Sequence, residues 1–277
     1  MGKFWLARVF YNDGISGNLT GVIQLESEVG KEQGQAIATR LQLPDTAFIW
    51  GNQSIQHRTF SPYEELTFCT QTLLASAAVQ YGHSTGFARF QYETAAGIAS
   101  VFTQGDGFWW IDATPDLVRP YPDLAILKQL GIPEGALAGE ICIGGVGRHR
   151  LYIPLATADD LYGIHLTPAT IMQVCRELGI TGISIFVKNN SDYILLRVFT
   201  TSLKGNEDAA TGGAVLGLLG YNQYCSYPST FRVDQGHRES TRRGCIYIKK
   251  DLENACTLLG AKVDVLTEGT IISEKVY

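Results

Sequence analysis

The sequence predicts an α+β protein of two similar halves, each with a central helix wrapped by a mostly antiparallel sheet. Three observations carry this. Residues 69–79 and 209–221 run apolar on every side without a charged residue, the pattern of a helix buried all round. Each follows an acid at the same spacing: Glu65 stands four residues before Cys69, and Glu207 four before Thr211. Each acid in turn follows an Arg-x-Phe-[Ser/Thr] strand end, Arg58-Thr59-Phe60-Ser61 and Arg197-Val198-Phe199-Thr200. The same parts in the same order, found twice, suggest duplication.

The elements follow in order. The aromatic and branched run 4–10 reads as a strand, closed by the turn signal Asn12-Asp13-Gly14, and 21–26 as a second strand. Residues 31–42 are amphipathic, with Ala36, Ile37 and Leu41 opposite Lys31, Glu32, Gln35 and Arg40. Pro44 ends that helix, because the residue before a proline avoids helical geometry, and Asp45 sits at the corner before a short strand. Strands are expected at 58–61, 85–90, 99–102 and 107–111, with Trp109 and Trp110 packing a sheet face. The proline-rich 115–122 is the linker candidate. Beyond it come a short helix at 124–130, a strand at 150–155, a helical turn at 159–162, a helix at 168–178, and strands at 183–187 and 193–199. The halves are accordingly 1–114 and 115–265, with 266–277 as a segment returning to the N-terminal half.

Composition narrows the function. A chain of 277 residues, 45% hydrophobic and 18% charged, can bury a large core. The formal net charge of -5, with no basic cluster beyond Arg242-Arg243 and Lys249-Lys250, argues against nucleic acid and for small molecules as partners. The apolar runs are too short or too interrupted to span a membrane, and the start leads straight into a strand, so a cytoplasmic protein without a membrane partner is expected. Six cysteines (Cys69, Cys142, Cys175, Cys225, Cys245, Cys256) include no C-x-x-C pair, and the histidines form no H-E-x-x-H, so neither a disulfide framework nor a metal site is expected. Gly144-Gly145-Val146-Gly147 is followed by Arg148-His149-Arg150, which breaks both nucleotide-binding glycine motifs, and it reads as a turn.

A buried helix start carries unpaired N–H groups and the positive end of the helix dipole, so it can hold a carboxylate; a capped core helix is the plainer alternative. Two such starts are expected to face one cleft. With these residues in hand, the chain resembles the PhzF-like family of phenazine-biosynthesis isomerases, within the diaminopimelate epimerase-like fold. The resemblance rests on Gly17-Asn18, Leu43-Pro44-Asp45-Thr46-Ala47-Phe48, Arg58-x-Phe60-Ser61-Pro62 with Glu65-Leu66, and above all Glu207-Asp208-Ala209-Ala210-Thr211-Gly212-Gly213-Ala214. It implies a cofactor-free enzyme, usually a homodimer, with its active site between two pseudosymmetric halves. It further implies that Asp45 moves a proton on a small carboxylate substrate, that Asp208 positions the substrate, and that the helix starts at Thr70, Gln71 and Thr72 and at Thr211, Gly212 and Gly213 supply backbone donors.

The departures are as informative. Asp45 stands where the phenazine type carries Glu, Cys69-Thr70-Gln71-Thr72 where it carries A-G-H-P, and Gly213 where it carries Ser, so a different substrate is implied. Cys69 occupies the place of one of two catalytic thiols in epimerases of this fold, and Thr211 the place of the other. A thiol at a helix start is expected to have a lowered pKa; a threonine hydroxyl cannot act as a base near neutral pH. For Asp45 the alternatives are an acid–base group and a turn cap; for Cys69, a catalytic thiol and core packing; for Asp208, a substrate ligand and a helix-start acid; for Asn18 and Gln71, substrate contacts and turn or cap roles. Three functions remain open: an isomerase shifting a proton or double bond on an amino-acid-derived carboxylate in natural-product or antibiotic biosynthesis, a Cys69-dependent epimerase or dehydratase, and a carboxylate-binding protein without turnover.

Overall fold

The computed structural model describes residues 2–52, 54–114, 117–145, 148–190, 192–221, 230–251 and 256–271. The chain divides into two compact units, Met1–Asp112 with Leu259–Tyr277, and Ala113–Leu258.

In the N-terminal unit β1 (Gly2–Tyr11) and β2 (Asn18–Gln24) pair antiparallel. Gly17 makes the return possible: its φ is +75°, and a Cβ there would lie 2.6 Å from the Val9 carbonyl oxygen. The helix α1 (Lys31–Leu41) leads to β3 (Asp45–Trp50), which runs parallel to β2 with Thr20 opposite Asp45. Then come β4 (Ile55–Phe60) and the short β5 (Glu65–Leu66), both antiparallel to their predecessors. The helix α2 (Thr70–Tyr81) follows, and β6 (Ala88–Thr94), β7 (Gly97–Thr103) and β8 (Phe108–Ala113) form a meander. β6 also lies parallel to β4. Trp109 and Trp110 are both buried but, being adjacent in a strand, on opposite faces. Trp109 meets Tyr81 and Phe90, whereas Trp110 stacks with Phe108 and lies against Gly260.

The C-terminal unit begins with β9 (Val118–Pro120), which pairs antiparallel with β10 (Cys142–Gly144), the short helix α3 (Ala125–Gln129) lying between them in sequence. The expected 115–122 linker is therefore partly strand; residues 115 and 116 fall outside the described residues. Gly144 likewise ends a strand rather than opening a free turn, and 146–147 lie outside the described residues, as does Cys225. Next come β11 (Arg150–Pro154), α4 (Ala158–Gly163), α5 (Pro168–Leu178), β12 (Gly182–Asn190) and β13 (Tyr193–Thr200). Thr157 and Thr167 cap α4 and α5 by accepting from Asp160 N and Thr170 N. The unit continues with β14 (Glu207–Asp208), α6 (Gly212–Gly220), β15 (Thr230–Gln235) and β16 (Gly244–Asp251). Finally β17 (Cys256–Ile271) carries the chain back to pair with β1. That pairing already includes Lys262, ahead of the 266 read from the sequence, because one continuous strand makes the crossing.

Strand pairing repeats between the units. β2 is parallel to β3, β3 antiparallel to β4, β4 antiparallel to β5 and parallel to β6; β11, β12, β13, β14 and β15 reproduce each relation. The registers align residue by residue. Thr46 faces Phe60 as Ile183 faces Phe199, and Glu65 faces Phe60 as Glu207 faces Phe199. One step back, Thr20 faces Asp45 as Arg150 faces Gly182. Each motif arginine is held inside its own unit. Arg58 donates to Glu65 (2.7 Å) and the Val29 carbonyl, and Arg197 to both Glu207 oxygens (3.0 and 2.8 Å) and the carbonyls of Leu161 and Ile164.

The central helix α2 is buried along its length from Thr70 to Val79. Its polar residues therefore need partners inside the unit. Thr72 Oγ1 lies 2.8 Å from Thr59 Oγ1 and donates to the Cys69 carbonyl, so it bridges β4 to the helix start. Gln80, two turns on, accepts from Tyr92 Oη. Between them His57 packs edge-on to Tyr92 and hydrogen-bonds the Thr72 backbone. Burial outweighs that bond and pushes His57 from its ordinary 6.5 down to about 4. The native state thus keeps His57 neutral where the unfolded chain would bind a proton. Stability is full above the unfolded value and is lost as pH falls from 6.5 toward about 4. Urea unfolding across this window is expected to show a steeper loss for the wild type than for His57→Gln; equal slopes would contradict the assignment.

Candidate active site

The sequence-predicted residues of the N-terminal unit converge on the first turn of α2. Asp45 opens β3 and Cys69 is the N-cap of α2, with extended backbone (φ -147°, ψ 111°). Residues 24 apart in sequence meet because β3 runs beside β2 under the helix start. The Cys69 thiol donates to Asp45 Oδ2 at 3.6 Å. Both residues remain partly exposed.

The thiol does not behave as its helix-start position predicts. Backbone N–H groups of Thr72 and Gln71, with the Thr72 side chain, do favour the thiolate. Burial and the negative charge of Asp45 oppose them and prevail, raising the thiol well above its ordinary 9.0. Cys69 is therefore a protonated donor beside a carboxylate rather than a ready thiolate base.

Asn18 and Gln71, expected to contact substrate, are buried and occupied with each other. Asn18 Nδ2 donates to Gln71 Oε1 (3.0 Å), while Gln71 Nε2 donates to the Leu19 carbonyl (3.0 Å) and to Thr20 Oγ1. Their side chains join α2 to β2. Thr70 and Thr72 are also buried, so this helix start offers backbone rather than side-chain groups.

In the C-terminal unit Asp208, Thr211, Gly212 and Gly213 gather at the first turn of α6. Thr211 Oγ1 donates to Asp208 Oδ2 at 2.6 Å. Burial raises the Asp208 carboxyl above its ordinary range, against the Thr211 hydroxyl, the Ala210 N–H and the charges of Arg150 and Arg242. Two residues of this site escape motif reading. Gln235, fully buried at the end of β15, accepts from Thr211 N (2.9 Å) and donates to the Asp208 carbonyl (2.8 Å) and Thr211 Oγ1 (2.9 Å). Arg150, buried at the start of β11, donates from Nη1 to the Arg148 carbonyl (3.1 Å) and lies against Gly213. No strand was expected near Gln235, where Gly236 is the one local turn signal, and Arg150 read as the first residue of a strand.

The repeat shows how far the two helix starts have diverged. Cys69 corresponds to Thr211, Asp45 to Gly182, Gln71 to Gly213 and Leu66 to Asp208. Of the two helix starts, the one at α2 thus carries a thiol–carboxylate pair and the one at α6 does not. Among the described residues no group of three or more His, Cys, Asp or Glu is placed to hold a metal ion, and no helix is long and apolar enough to cross a membrane.

Comparison with known proteins matches this architecture. The family described as "Phenazine biosynthesis-like protein" aligns over residues 7–268. The chain belongs to this family. Among named members, an uncharacterized isomerase of Deinococcus radiodurans is 28% identical over 222 residues, covering 73% of this chain and 71% of that protein. An uncharacterized isomerase of Pseudomonas aeruginosa is 24% identical over 267 residues, covering 95% of each, and the Schizosaccharomyces pombe protein "Antisense-enhancing sequence 1" is 26% identical over 256 residues, covering 84% and 85%. Solved structures share the fold. A PhzF-family phenazine biosynthesis protein of Enterococcus faecalis superposes with a TM-score of 0.75 at 21% identity, covering 97% of this chain and 98% of that one. A hydroxyproline epimerase of Agrobacterium vitis gives 0.65 at 9% identity, covering 97% and 91%. This family member therefore has the diaminopimelate epimerase-like fold expected from its motifs.

The thiol gives a direct check. Alkylation of Cys69 by iodoacetamide near neutral pH, followed by peptide mass spectrometry, is expected to be slow in the wild type and faster in Asp45→Asn, since the opposing charge is gone. An unchanged or slower rate in the variant would contradict the thiol–carboxylate coupling.

Proposed function

We propose that this family member is a cofactor-independent isomerase that moves a proton, and with it a double bond, on a small amino-acid-derived carboxylate. The observation that carries the reading is the 3.6 Å contact between Cys69 Sγ and Asp45 Oδ2, in a unit whose counterpart has Thr211 and Gly182 instead. Racemisation by two bases needs an acid–base group on each face of the reacting carbon, and Thr211 cannot be the second. A shift within one molecule needs only one such group, which takes the proton from one atom and returns it to another.

Asp45 is that group. Its carboxylate removes the proton from carbon, the electron pair moves into the conjugated system, and the same carboxyl delivers the proton to the new position. Bonds and electrons balance without an oxidant or reductant. The protonated Cys69 orients the carboxylate through its hydrogen bond, and the backbone N–H groups at the start of α2 face the charge that develops. Asp208 and the start of α6 serve to hold the substrate's polar groups. The isomerase names carried by two relatives support this class of reaction. The description of the family supports natural-product biosynthesis as the proposed context.

A panel of small amino-acid-derived carboxylates incubated in deuterated water tests the reading by mass spectrometry. The isomerised product is expected to carry deuterium, Asp45→Asn is expected to lower its formation by about 100-fold or more, and Cys69→Ala to leave a larger share of activity than Asp45→Asn. Full activity in Asp45→Asn would remove the carboxylate from its role. Greater damage from Cys69→Ala would turn the assignment toward a cysteine-dependent epimerase or dehydratase, and tight binding without turnover toward a binding protein.

A further inference from the structure

The C-terminal unit keeps the frame of the N-terminal helix start but fills it differently. In the N-terminal unit the space between the helix start and the adjoining strand is closed by a neutral pair, Gln71 reaching from α2 to Thr20 on β2. At the corresponding positions of the C-terminal unit stand Gly213 and Arg150, and where Asp45 would be stands Gly182. The two glycines frame the guanidinium. A Cβ on Gly213 would lie 3.5 Å from Arg150 Nη1, and one on Gly182 would lie 3.5 Å from its Nε. Arg150 is 5% exposed, and burying a guanidinium this deeply is costly without compensating charge nearby. Reaching from β11 to Gly213, it brings that charge to the first turn of α6, the turn at which Thr211 Oγ1 donates to Asp208.

We propose that Arg150 is a positioning residue of the C-terminal unit: lodged against Gly182 and Gly213, its guanidinium holds Asp208 as a carboxylate aimed at the start of α6. The proposal rests on the reading that Asp208 serves the substrate, and it adds a buried positive charge that, with the Thr211 and Ala210 hydrogen bonds, favours the charged form of that acid. Among the described residues the groups that act on Asp208 include the Thr211 hydroxyl and Ala210 N–H from its own loop, Arg150 from β11 and Arg242 from the turn before β16. The two hydrogen bonds oppose burial most; the two arginines act in the same direction, Arg150 more than Arg242. A lysine would keep the charge but lose the planar fork that contacts the two glycines. A neutral side chain would leave burial opposed only by the Thr211 and Ala210 hydrogen bonds and the weaker influence of Arg242.

The test is the carboxyl titration of Asp208 in protein labelled with 13C-aspartate, its signal assigned by Asp208→Asn. Arg150→Gln is expected to shift the Asp208 midpoint upward, Arg150→Lys to bring it back toward the wild-type value, and Arg242→Gln to shift it by less than Arg150→Gln. An unmoved midpoint in folded Arg150→Gln would overturn the proposal. So would equal shifts in the Gln and Lys variants, since volume rather than charge would then be at work. If Arg150→Gln does not fold, the reciprocal measurement decides. In Arg150→Lys the introduced amine is expected to titrate lower when Asp208→Asn is added, and an unchanged amine midpoint would overturn the proposal. No substrate enters these titrations, so their outcome is separate from that of the deuterium experiment.

Discussion

The constraint on which the N-terminal unit depends is the burial of α2 on all sides. A helix with no exposed face cannot leave its polar groups to water, and apart from Ser76 Oγ, which is buried without a partner among the described residues, its long polar side chains find partners in the sheet around it. Thr72 finds Thr59, Gln80 finds Tyr92, and Gln71 finds Asn18, Thr20 and the Leu19 carbonyl. These contacts fix both the rotation and the depth of the helix, and so fix where Cys69 stands at its start. Asp45 is fixed independently, as the first residue of a strand held between β2 and β4. The thiol–carboxylate contact is the meeting of these two rigid placements, which is the kind of support that acid–base geometry requires.

Duplication explains the scaffold, and divergence explains the chemistry. The motif arginines, the acids they hold and the phenylalanines facing those acids are the same in both units, because they hold strands and helix together. At the helix starts side-chain volume is redistributed while the frame stays: a large helix residue with a small strand residue in one unit, glycine with arginine in the other. That exchange moves a positive charge into one helix start and leaves a carboxylate and thiol at the other. Close approach elsewhere is equally restrictive. A Cβ on Gly217 of α6 would meet the Tyr152 hydroxyl at 1.8 Å, so the helix can sit on β11 only with glycine there.

Much of this was legible in the chain because its signals are local. Two charge-free helices, the Arg-x-Phe strand ends, the acids at fixed spacing and the glycine-rich corner at Thr211-Gly212-Gly213 lie within short windows and report the paired halves and the helix starts. What was not legible depends on contacts distant in sequence. Arg150 and Gly213 are brought together by strand packing, and Gln235 reaches Thr211 from a strand whose preceding segment has no strong pattern. Asn18 and Gln71 have the residue types of substrate ligands, yet each answers the other across 53 positions. The thiol was misread for a related reason: the helix start does pull its pKa down, but burial and Asp45, both properties of the folded chain, push it further up.

The central claim is that Asp45, not a pair of thiols, exchanges the substrate proton. A crystal structure of the protein with a bound, unreactive analogue of its carboxylate substrate tests this most directly, through the distances from the reacting carbon to Asp45 and to Cys69. The account predicts an Asp45 oxygen at about 3–3.5 Å from that carbon, with Cys69 Sγ beyond it and still hydrogen-bonded to the carboxylate. A reacting carbon seated against Cys69 Sγ, with Asp45 turned away from the ligand, would contradict it.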